Sequence, residues 1–362
     1  MLPIIGCKDI KILRSSVHLS RTLKFYFYLC ILFTGRIKMD KLTIITQSIQ
    51  KEIEAFNRLF KTSLHGHNDD FQSMIDFVSG RNGKRIRPIV TILSAKLCGE
   101  TNSKTIDYAL ILELLHTATL IHDDVVDNTM ERRAQPSVNA QYDNRVAVLL
   151  GDYILSLSIA RAVMTQNGTV MEIISRLAQN LADGELTQLI ASKKTIVDEK
   201  RYFDVIRKKT AVLLSSCSEM GALSVDANPE TRERLRLIGE NLGLCFQIKD
   251  DIFDYFDQGE IGKPTGNDVR EGKITLPLIH ALQTAPNVIS SAMFDSISKQ
   301  DFSRENIRQL IEFAKEYGGI EYAQSKMQEM KVEILELLSV FPDSEAKTTM
   351  TDLIDYIIER KK

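Results

Sequence analysis

Apolar side chains recur every three or four positions along most of the chain, while the alternation expected of a β-strand is essentially absent. This spacing is typical of helices that bury one face. Breaks rich in Gly, Pro, Asn and Ser fall near residues 79–83, 167–168, 227–229, 259–266 and 284–303. The predicted helical segments are 106–121, 146–164, 171–190, 202–223, 231–256, 276–282, 307–313, 321–338 and 344–361. The pattern therefore predicts an all-α fold, a single large helical bundle whose central helices surround an apolar cavity.

No linker, low-complexity stretch or charge block divides residues 39–362, so we predict one domain there, although 362 residues could hold two. The apolar and charged fractions, 44% and 26%, are those of a globular protein. A net charge of −2 gives no electrostatic footprint for nucleic acid, and no nucleic-acid partner is expected. The five cysteines are scattered without CxxC spacing, which indicates free thiols of a reducing compartment and predicts a cytoplasmic protein.

Residues 1–38 form a leader that differs from the rest of the chain. It combines a basic stretch with an apolar run at 25–33, which is too short to span a bilayer. The run has the length of a signal-peptide core, but no small-residue cleavage site follows it. A regular amphipathic pattern begins at Met39. We interpret the leader as an artefact of start-site assignment, the alternative being a short anchor at a membrane surface.

Two aspartate clusters share the spacing DDxxD, and each follows an apolar run. Like charges this close on a helix repel one another, and their burial is unfavourable unless a cation compensates. Mg²⁺ binds through one or two carboxylates together with substrate phosphates, so two facing clusters could hold a diphosphate. A single cluster would more simply be a solvated helix end, but two copies after apolar helices favour the metal interpretation. The clusters comprise Asp123, Asp124 and Asp127, and Asp250, Asp251 and Asp254.

Basic residues accompany both clusters. Lys84 and Arg87 stand three positions apart after a glycine turn, where they could grip a phosphate by point charge and by a bidentate guanidinium. The alternative for this pair is a solvated basic loop. No GxxxxGK[ST] motif occurs, which excludes a nucleotide P-loop of that type. The other basic groups near the clusters are Arg132, Arg133, Lys208, Lys209, Lys263 and Lys273.

The motifs occur in an order that resembles the trans-polyprenyl diphosphate synthases over roughly Ser48 to Lys362. In chain order they read GKRIRP (83–88), HTATLIHDDVVD (116–127), GDY (151–153), GELTQ (184–188), KT (209–210), FQIKDD (246–251) and EGKITLP (271–277). The resemblance implies an isoprenoid synthase-like helical fold and a homodimer. It also implies Mg²⁺-dependent, head-to-tail condensation of isopentenyl diphosphate with an allylic diphosphate, here farnesyl diphosphate.

The resemblance also assigns roles to individual residues. The expected Mg²⁺ ligands are Asp123, Asp124, Asp127, Asp250 and Asp254. The residues expected to neutralise the allylic diphosphate are Arg132, Lys209 and Lys263, with Lys273 as a further substrate-binding residue. Those expected to hold isopentenyl diphosphate are Lys84, Arg87, His116 and Arg133. Thr210 and Gln247 are expected to line the place where positive charge develops, and the catalytic set is Asp123, Asp127, Lys209 and Asp250. Without the resemblance, His116 would be interpreted as a core histidine.

Product length is predicted from the helix that carries the first cluster. Ala118 and Thr119 lie one turn below Asp123, and Leu115 continues the same wall. An aromatic side chain at either small residue would close the cavity after a short product. We therefore predict a hexaprenyl to nonaprenyl product, with octaprenyl as the best single value and quinone side chains as its use. The alternative is that these residues pack the core and that a deeper side chain stops growth.

Three other functions compete with this prediction: a class I terpene cyclase, a shorter-chain farnesyl or geranylgeranyl diphosphate synthase, and a non-catalytic subunit of a heteromeric synthase. A cyclase has no use for the second DDxxD cluster or for the isopentenyl diphosphate residues. A subunit without activity would not need both clusters. One departure from the family is Ala134, where glycine is usual, and it would strain the loop if that position needs a positive φ. A greasy product also suggests peripheral membrane contact at release.

Overall fold

The computed structural model describes residues 41–80, 83–132, 135–194, 197–256 and 266–360. The chain divides into two compact units, residues 1–44 and 45–362. Of the first unit only residues 41–44 are described, and they are helical. The interpretation of residues 1–38 as a leader therefore concerns a segment outside the described residues. All site residues discussed below belong to the second unit.

The described residues are almost entirely helical, which confirms the predicted all-α fold. Their β structure is limited to two antiparallel two-residue strands, β1 (Glu131–Arg132) and β2 (Gln135–Pro136). The helices are α1 (Lys41–Gln47), α2 (Gln50–Ser63), α3 (Asp69–Ser79), α4 (Ile86–Cys98), α5 (Ser103–Val126), α6 (Val138–Gln141), α7 (Asn144–Met164), α8 (Gly168–Lys194), α9 (Glu199–Ile206), α10 (Val212–Ser224), α11 (Pro229–Phe253), α12 (Asn267–Arg270), α13 (Leu276–Thr284), α14 (Asn287–Ser298), α15 (Arg304–Glu316), α16 (Gly319–Ser339) and α17 (Glu345–Glu359).

Two predicted boundaries differ from the structure. The segment predicted as one helix over 202–223 is divided into α9 and α10 by a π-helical turn, Arg207–Ala211. The region 284–303, predicted as a break, contains α14. Its apolar residues are mostly exposed, so the helix lacks the strong one-sided pattern by which the other helices were identified.

The two helices that end in the aspartate clusters, α5 and α11, begin with strong caps. In α5 the Asn102 side chain accepts a hydrogen bond from the Thr105 backbone amide, and the Thr105 hydroxyl oxygen accepts one from the Asn102 backbone amide, which forms a capping box. In α11 the Asn228 side chain is the cap, directly before Pro229. Their C-terminal ends, by contrast, carry the clusters. Carboxylates are unfavourable there because the helix dipole is already negative at that end. Stability does not explain this placement, so it indicates a functional site that receives cations.

The core is formed by α10 between α4 and α11, and by α5 against α7. Two glycines allow this close packing. A Cβ on Gly221 would overlap the Thr91 carbonyl oxygen of α4, and one on Gly239 would overlap the Leu214 carbonyl oxygen of α10. The last helix, α17, packs against both α4 and α11. The C-terminus is thereby brought to the end of α11 that carries the second cluster.

Within the described residues, α7 is the one helix long and apolar enough to cross a membrane by length and composition alone. Such a property is weak evidence for a membrane span. A third (33%) of its most apolar window is buried inside the protein, and the rest includes exposed side chains such as Leu149 and Met164.

Candidate active site

The first cluster occupies the last turn of α5. Burial, helped by the nearby Glu185 and Asp127 carboxylates, raises the pKa of Asp123 to about 6. The charges of Lys209 and Arg132 act in the opposite direction. Asp123 therefore lies where negative charge already accumulates and where two predicted diphosphate ligands also converge.

Asp124 points into the protein rather than toward the exposed end of the helix. Its side chain is 1% exposed, and its Oδ1 accepts a hydrogen bond from Arg132 Nε at 2.7 Å. Asp124 thus holds the Arg132 side chain of β1 in place, which gives this aspartate a positioning role beside its predicted role as a metal ligand. Arg133 and Ala134, with the strain expected at Ala134, lie outside the described residues.

Lys209 reaches the site from the π-helical turn. Its Nζ lies 2.5 Å from Glu185 Oε2 on α8. Gly184 permits this approach, because a Cβ there would meet the Lys209 amide nitrogen at 2.9 Å. Short π-helical turns inside helices are often found at functional sites, and this one carries the Lys209-Thr210 motif.

A buried hydrogen-bonded chain extends from the π-helical turn to the second cluster. Thr210 Oγ1 donates to Gln247 Oε1 at 2.7 Å, and Gln247 Nε2 donates to Asp251 Oδ1 at 2.8 Å. The Tyr202 hydroxyl donates to Asp251 Oδ2 at 2.6 Å. Burial, together with the charge of Asp268, raises the pKa of Asp251 to about 8. This chain fixes the orientation of Gln247. Tyr202 and Asp268 were not found from the sequence, which carries no local sign of these long-range contacts.

The remaining two aspartates of the second cluster are engaged with the protein. Asp254 accepts hydrogen bonds from the backbone amides of Asn267 (3.0 Å) and Asp268 (2.9 Å) and so stabilises the start of α12. Asp250 Oδ1 accepts from Arg360 Nη2 at 2.6 Å. Arg360 follows the end of α17, and its guanidinium lies over the Phe246 ring at 4.2 Å from the centroid. Arg360 was not predicted from the sequence, where the run of basic residues at 360–362 was the available signal.

Lys273 lines the same cavity as Asp251 of the second cluster. It pairs with Glu271 at 2.5 Å. Burial lowers its pKa, but the Glu271 contact and the charges of Asp268 and Asp127 outweigh that effect and raise the pKa. Lys273 is therefore within electrostatic reach of the first cluster while lying beside the second. Lys263 lies outside the described residues.

A cavity of about 150 Å³ lies beside this chain of contacts. Among the residues predicted from the sequence, it is lined by Lys209, Thr210, Gln247 and Lys273. Apolar walls come from α9, the 272–275 segment and α13. The structure thus brings together cations and acceptors from four separate stretches of the sequence.

The predicted isopentenyl diphosphate residues lie on the α4 and α5 side. Lys84 Nζ lies 5.7 Å from the centre of the Tyr356 ring of α17. Arg87 and His116 are half-buried on α4 and α5. Tyr356 and Arg360 stand four residues apart, so the end of α17 contacts both the Lys84 side and the second aspartate cluster.

The predicted chain-length residues differ in their surroundings. Ala118 is fully buried in a cluster that includes Leu114, Leu150 and Ile154, as expected of a core residue. Leu115 is 1% exposed. Thr119 is half-buried, and its hydroxyl donates to the His116 carbonyl oxygen of its own helix.

The donor set fits a hard divalent cation that completes its coordination with phosphate oxygens. Within the described residues, no group of three or more His, Cys, Asp or Glu could hold a metal ion by itself. Asp123 and Asp127 offer oxygen ligands one turn apart at an unfavourable helix end, where a cation relieves repulsion. Mg²⁺ commonly binds in this way, through one or two carboxylates and a bound phosphate.

The chain matches known proteins over most of its length. A family model described as Polyprenyl synthetase matches residues 68–314. The all-trans-nonaprenyl-diphosphate synthase (geranyl-diphosphate specific) of Rhodobacter capsulatus is 36% identical over 280 residues, which cover 77% of this chain and 85% of that protein.

Two solved structures extend the comparison. A geranylgeranyl pyrophosphate synthase from Bacteroides thetaiotaomicron is 41% identical with a TM-score of 0.77, covering 89% of this chain and 100% of that one. A polyprenyl synthase from Caulobacter crescentus CB15, complexed with calcium and isoprenyl diphosphate, is 28% identical with a TM-score of 0.82. That match covers 89% of this chain and 98% of the other.

Proposed function

The chain belongs to the polyprenyl synthetase family, as its motifs predicted, and is a prenyltransferase of isoprenoid diphosphates; from this premise we propose its specific reaction. It condenses isopentenyl diphosphate head-to-tail with an allylic diphosphate, farnesyl diphosphate being the proposed primer. The product is a long all-trans polyprenyl diphosphate of about eight units for quinone side chains. The observation that carries the proposal is that Lys209 and Lys273 line one cavity beside the second cluster, while the charge of Lys209 also acts on Asp123 of the first.

The allylic diphosphate binds among the side chains that link the two clusters. Arg132, aimed by Asp124, and Lys209 and Lys273 supply the positive charge that a leaving diphosphate requires. Asp123, Asp127 and Asp250 are the proposed ligands of Mg²⁺, with Asp124 and Asp254 supporting them. Bound Mg²⁺ would neutralise the charge that develops on the leaving diphosphate.

Thr210 and Gln247 face the carbon end of the reaction. The Thr210 hydroxyl donates a hydrogen bond to Gln247 Oε1, so the lone pairs of the hydroxyl oxygen remain for the cavity that both residues line. Such oxygens favour the positive charge of an allylic cation. Apolar walls keep water from this cation until the double bond of isopentenyl diphosphate attacks it. Lys84, Arg87 and His116 are proposed to hold the diphosphate of that second substrate. Proton loss then yields the lengthened allylic product, and released diphosphate is the proposed acceptor.

The length of the product is proposed from α5. Ala118 and Thr119 have small side chains, which would not block a growing prenyl chain as an aromatic side chain would. The similarity to a nonaprenyl-diphosphate synthase supports a long product. A second candidate, a geranylgeranyl-length product, is favoured by the 41% identity to the Bacteroides enzyme.

We also propose a homodimer, because α7 and α8 present apolar faces to solvent. Val148, Ile159 and Val163 form one stripe along α7, and Leu149, 68% exposed, lies beside that stripe. Leu186 and Ile190 lie one turn apart on α8 and are 60% and 49% exposed. Apolar faces of this kind mark interaction sites, and a second copy would cover them. A cytoplasmic enzyme that touches a membrane only at product release is consistent with this arrangement.

The proposal is tested by incubating the protein with Mg²⁺, labelled isopentenyl diphosphate and farnesyl diphosphate, followed by chromatography of the dephosphorylated products. A ladder that ends near eight units supports the long-chain synthase, whereas accumulation at four units establishes the shorter-chain alternative. Cyclic hydrocarbon formed from farnesyl diphosphate alone identifies a cyclase. Turnover only with a second protein identifies a subunit. Chelation of Mg²⁺ is expected to abolish condensation.

A further inference from the structure

Three cations of the GKRIRP motif, which look equivalent in the sequence, are placed differently in the structure. The Arg85 side chain turns inward between α2 and α5. Its guanidinium carbon lies 4.4 Å from the centre of the Phe60 ring, and its Nη1 lies 2.7 Å from Glu113 Oε1. Arg85 thus anchors the segment that also carries Lys84 and Arg87.

Glu113 is deeply buried, its side chain only 8% exposed. A buried carboxylate is unfavourable unless it is paired, and Arg85 supplies the partner. The Arg85 backbone has a φ of 52° and a ψ of 33° directly before α4, a left-handed conformation that non-glycine residues adopt reluctantly. The ion pair and the ring contact hold the chain in that conformation, so they determine the direction in which α4 begins.

The surroundings of Glu113 link it to the predicted isopentenyl diphosphate residues. It lies three positions before His116, on the same side of α5. Its charge and that of Arg87 both act on the buried Cys217 thiol, so the two groups lie around the same interior point. Glu113 Oε2 is also buried and accepts no hydrogen bond within the described residues. The carboxylate is therefore paired with Arg85, and Glu113 and Arg87 both lie near the Cys217 thiol.

We propose that Glu113 is a positioning residue that acts through Arg85 to hold Lys84 and Arg87 in place for the diphosphate of isopentenyl diphosphate. The inference rests on the proposed function and adds to it a residue that does not touch the substrate. Glu113 precedes Asp123 by ten positions on α5, so one helix carries this counter-ion for one diphosphate site and the aspartates of the other. Loss of the buried charge affects the isopentenyl site and leaves the allylic site intact.

The test is Glu113→Gln in the full chain, which keeps the side-chain shape and removes its charge. The KM for isopentenyl diphosphate is expected to rise about tenfold, the loss typical of one charge-assisted contact. The KM for farnesyl diphosphate should change less than twofold, and kcat should stay within about threefold. Equal increases in both KM values, or no change in either, would overturn the inference.

Glu52→Gln provides a matched control. Glu52 on α2 pairs with Lys96 of α4 at 2.6 Å, with side-chain exposures of 16% and 29%. In the described part of the chain its other side-chain partner is Thr101. Its variant should lose stability to a similar extent while both KM values stay unchanged. If Glu52→Gln raises the KM for isopentenyl diphosphate as much as Glu113→Gln does, the effect is general loosening of α4 and the inference fails.

A second variant and a binding measurement keep the test independent of turnover and folding. The double variant Arg85→Gln/Glu113→Gln leaves no buried charge unpaired and should fold even if the single variant does not. Calorimetric titration with isopentenyl diphosphate should give about tenfold weaker binding for both variants than for the wild type. Unchanged affinity in the double variant contradicts the inference. If the wild type binds isopentenyl diphosphate but elongates no primer, the proposed function fails while the titration still decides the role of Glu113.

Discussion

Aspartates of the two clusters divide at the residue scale into those bound within the protein and those left for a cation. Asp124 is satisfied by Arg132, and Asp254 by two backbone amides of α12. Among the described residues nothing neutralises Asp123 to the same extent, because burial and the adjacent carboxylates outweigh the influence of Lys209. Aspartates of the DDxxD motifs therefore have two roles: some hold other groups of the protein in position, and others are available to bind a cation.

Asp123→Asn should lower turnover while stabilising the metal-free protein. The variant removes a charge that is unfavourable at the C-terminal end of α5, which should increase the free energy of unfolding by about 1 kcal/mol. The kcat for condensation should fall at least about 10²-fold, because the Mg²⁺ that would neutralise the negative charge of the leaving diphosphate loses a ligand. Urea denaturation in EDTA and steady-state assays measure the two effects.

Asp254→Asn should mainly destabilise the protein. It weakens the hydrogen bonds that start α12, at an expected cost of about 1 kcal/mol of unfolding free energy. The pair of variants therefore gives opposite signs in urea denaturation. A loss of stability in Asp123→Asn as large as that in Asp254→Asn would show that Asp123 is structural.

At the scale of elements, α5, the π-helical turn and α17 place the side chains of the site. α5 holds Glu113, His116 and the first cluster along one rod. The π-helical turn presents Lys209 and Thr210 to the cavity. α17 brings Tyr356 and Arg360 to opposite partners, Lys84 and Asp250. The contacts of these elements bring together residues that are far apart in the chain, such as Arg360 and Asp250.

Arg360→Gln should remove the ion pair between Arg360 and Asp250. We expect metal to bind the substrate-free protein more tightly, as measured by Mn²⁺ electron paramagnetic resonance, with a stability loss of about 1 kcal/mol. Lys331→Gln is the matched control. Lys331 on α16 forms an ion pair of 2.7 Å with Asp355 on α17, and the substitution removes it. Equal Mn²⁺ affinity in both variants would show that Arg360 does not compete for Asp250.

Thr119→Phe tests the role of α5 in product length. The Thr119 hydroxyl bonds only to its own helix in the contacts described, so the substitution breaks no link to another element. An aromatic ring there should shorten the main product by several isoprene units, as measured by chromatography. Thr117→Phe is the control, since Thr117 also bonds within α5, to the Glu113 carbonyl oxygen, but faces another side. Identical product ladders for both variants and the wild type would place the stop elsewhere.

For the whole molecule, the helical period predicted the fold class because it reflects burial of one face. The Asp, Lys and Gln motifs identified residues that the structure gathers around one cavity, such as Lys209 and Gln247. Arg360, Tyr202 and the Arg85–Glu113 pair could not be predicted, because each acts through a contact between residues distant in sequence. The π-helical turn was missed because its apolar spacing resembles that of one continuous helix.

Leu149→Glu should disrupt the proposed homodimer. Leu149 is 68% exposed on α7, so a charge there costs the monomer little but prevents burial against a second copy. Sedimentation velocity should show a shift from dimer to monomer. Val332→Glu, at a residue 55% exposed on α16, is the control and should leave the assembly unchanged. A wild-type monomer would refute the dimer outright.

The central claim is that the two aspartate clusters hold one allylic diphosphate together with Lys209 and Lys273. A crystal structure of the full chain with Mg²⁺, isopentenyl diphosphate and a non-hydrolysable thio analogue of farnesyl diphosphate tests this most directly. We expect diphosphate density between Asp123 and Asp250, in contact with both lysines and with the prenyl chain extending among the helices. Diphosphate bound away from these residues, or held by one cluster alone, would contradict it.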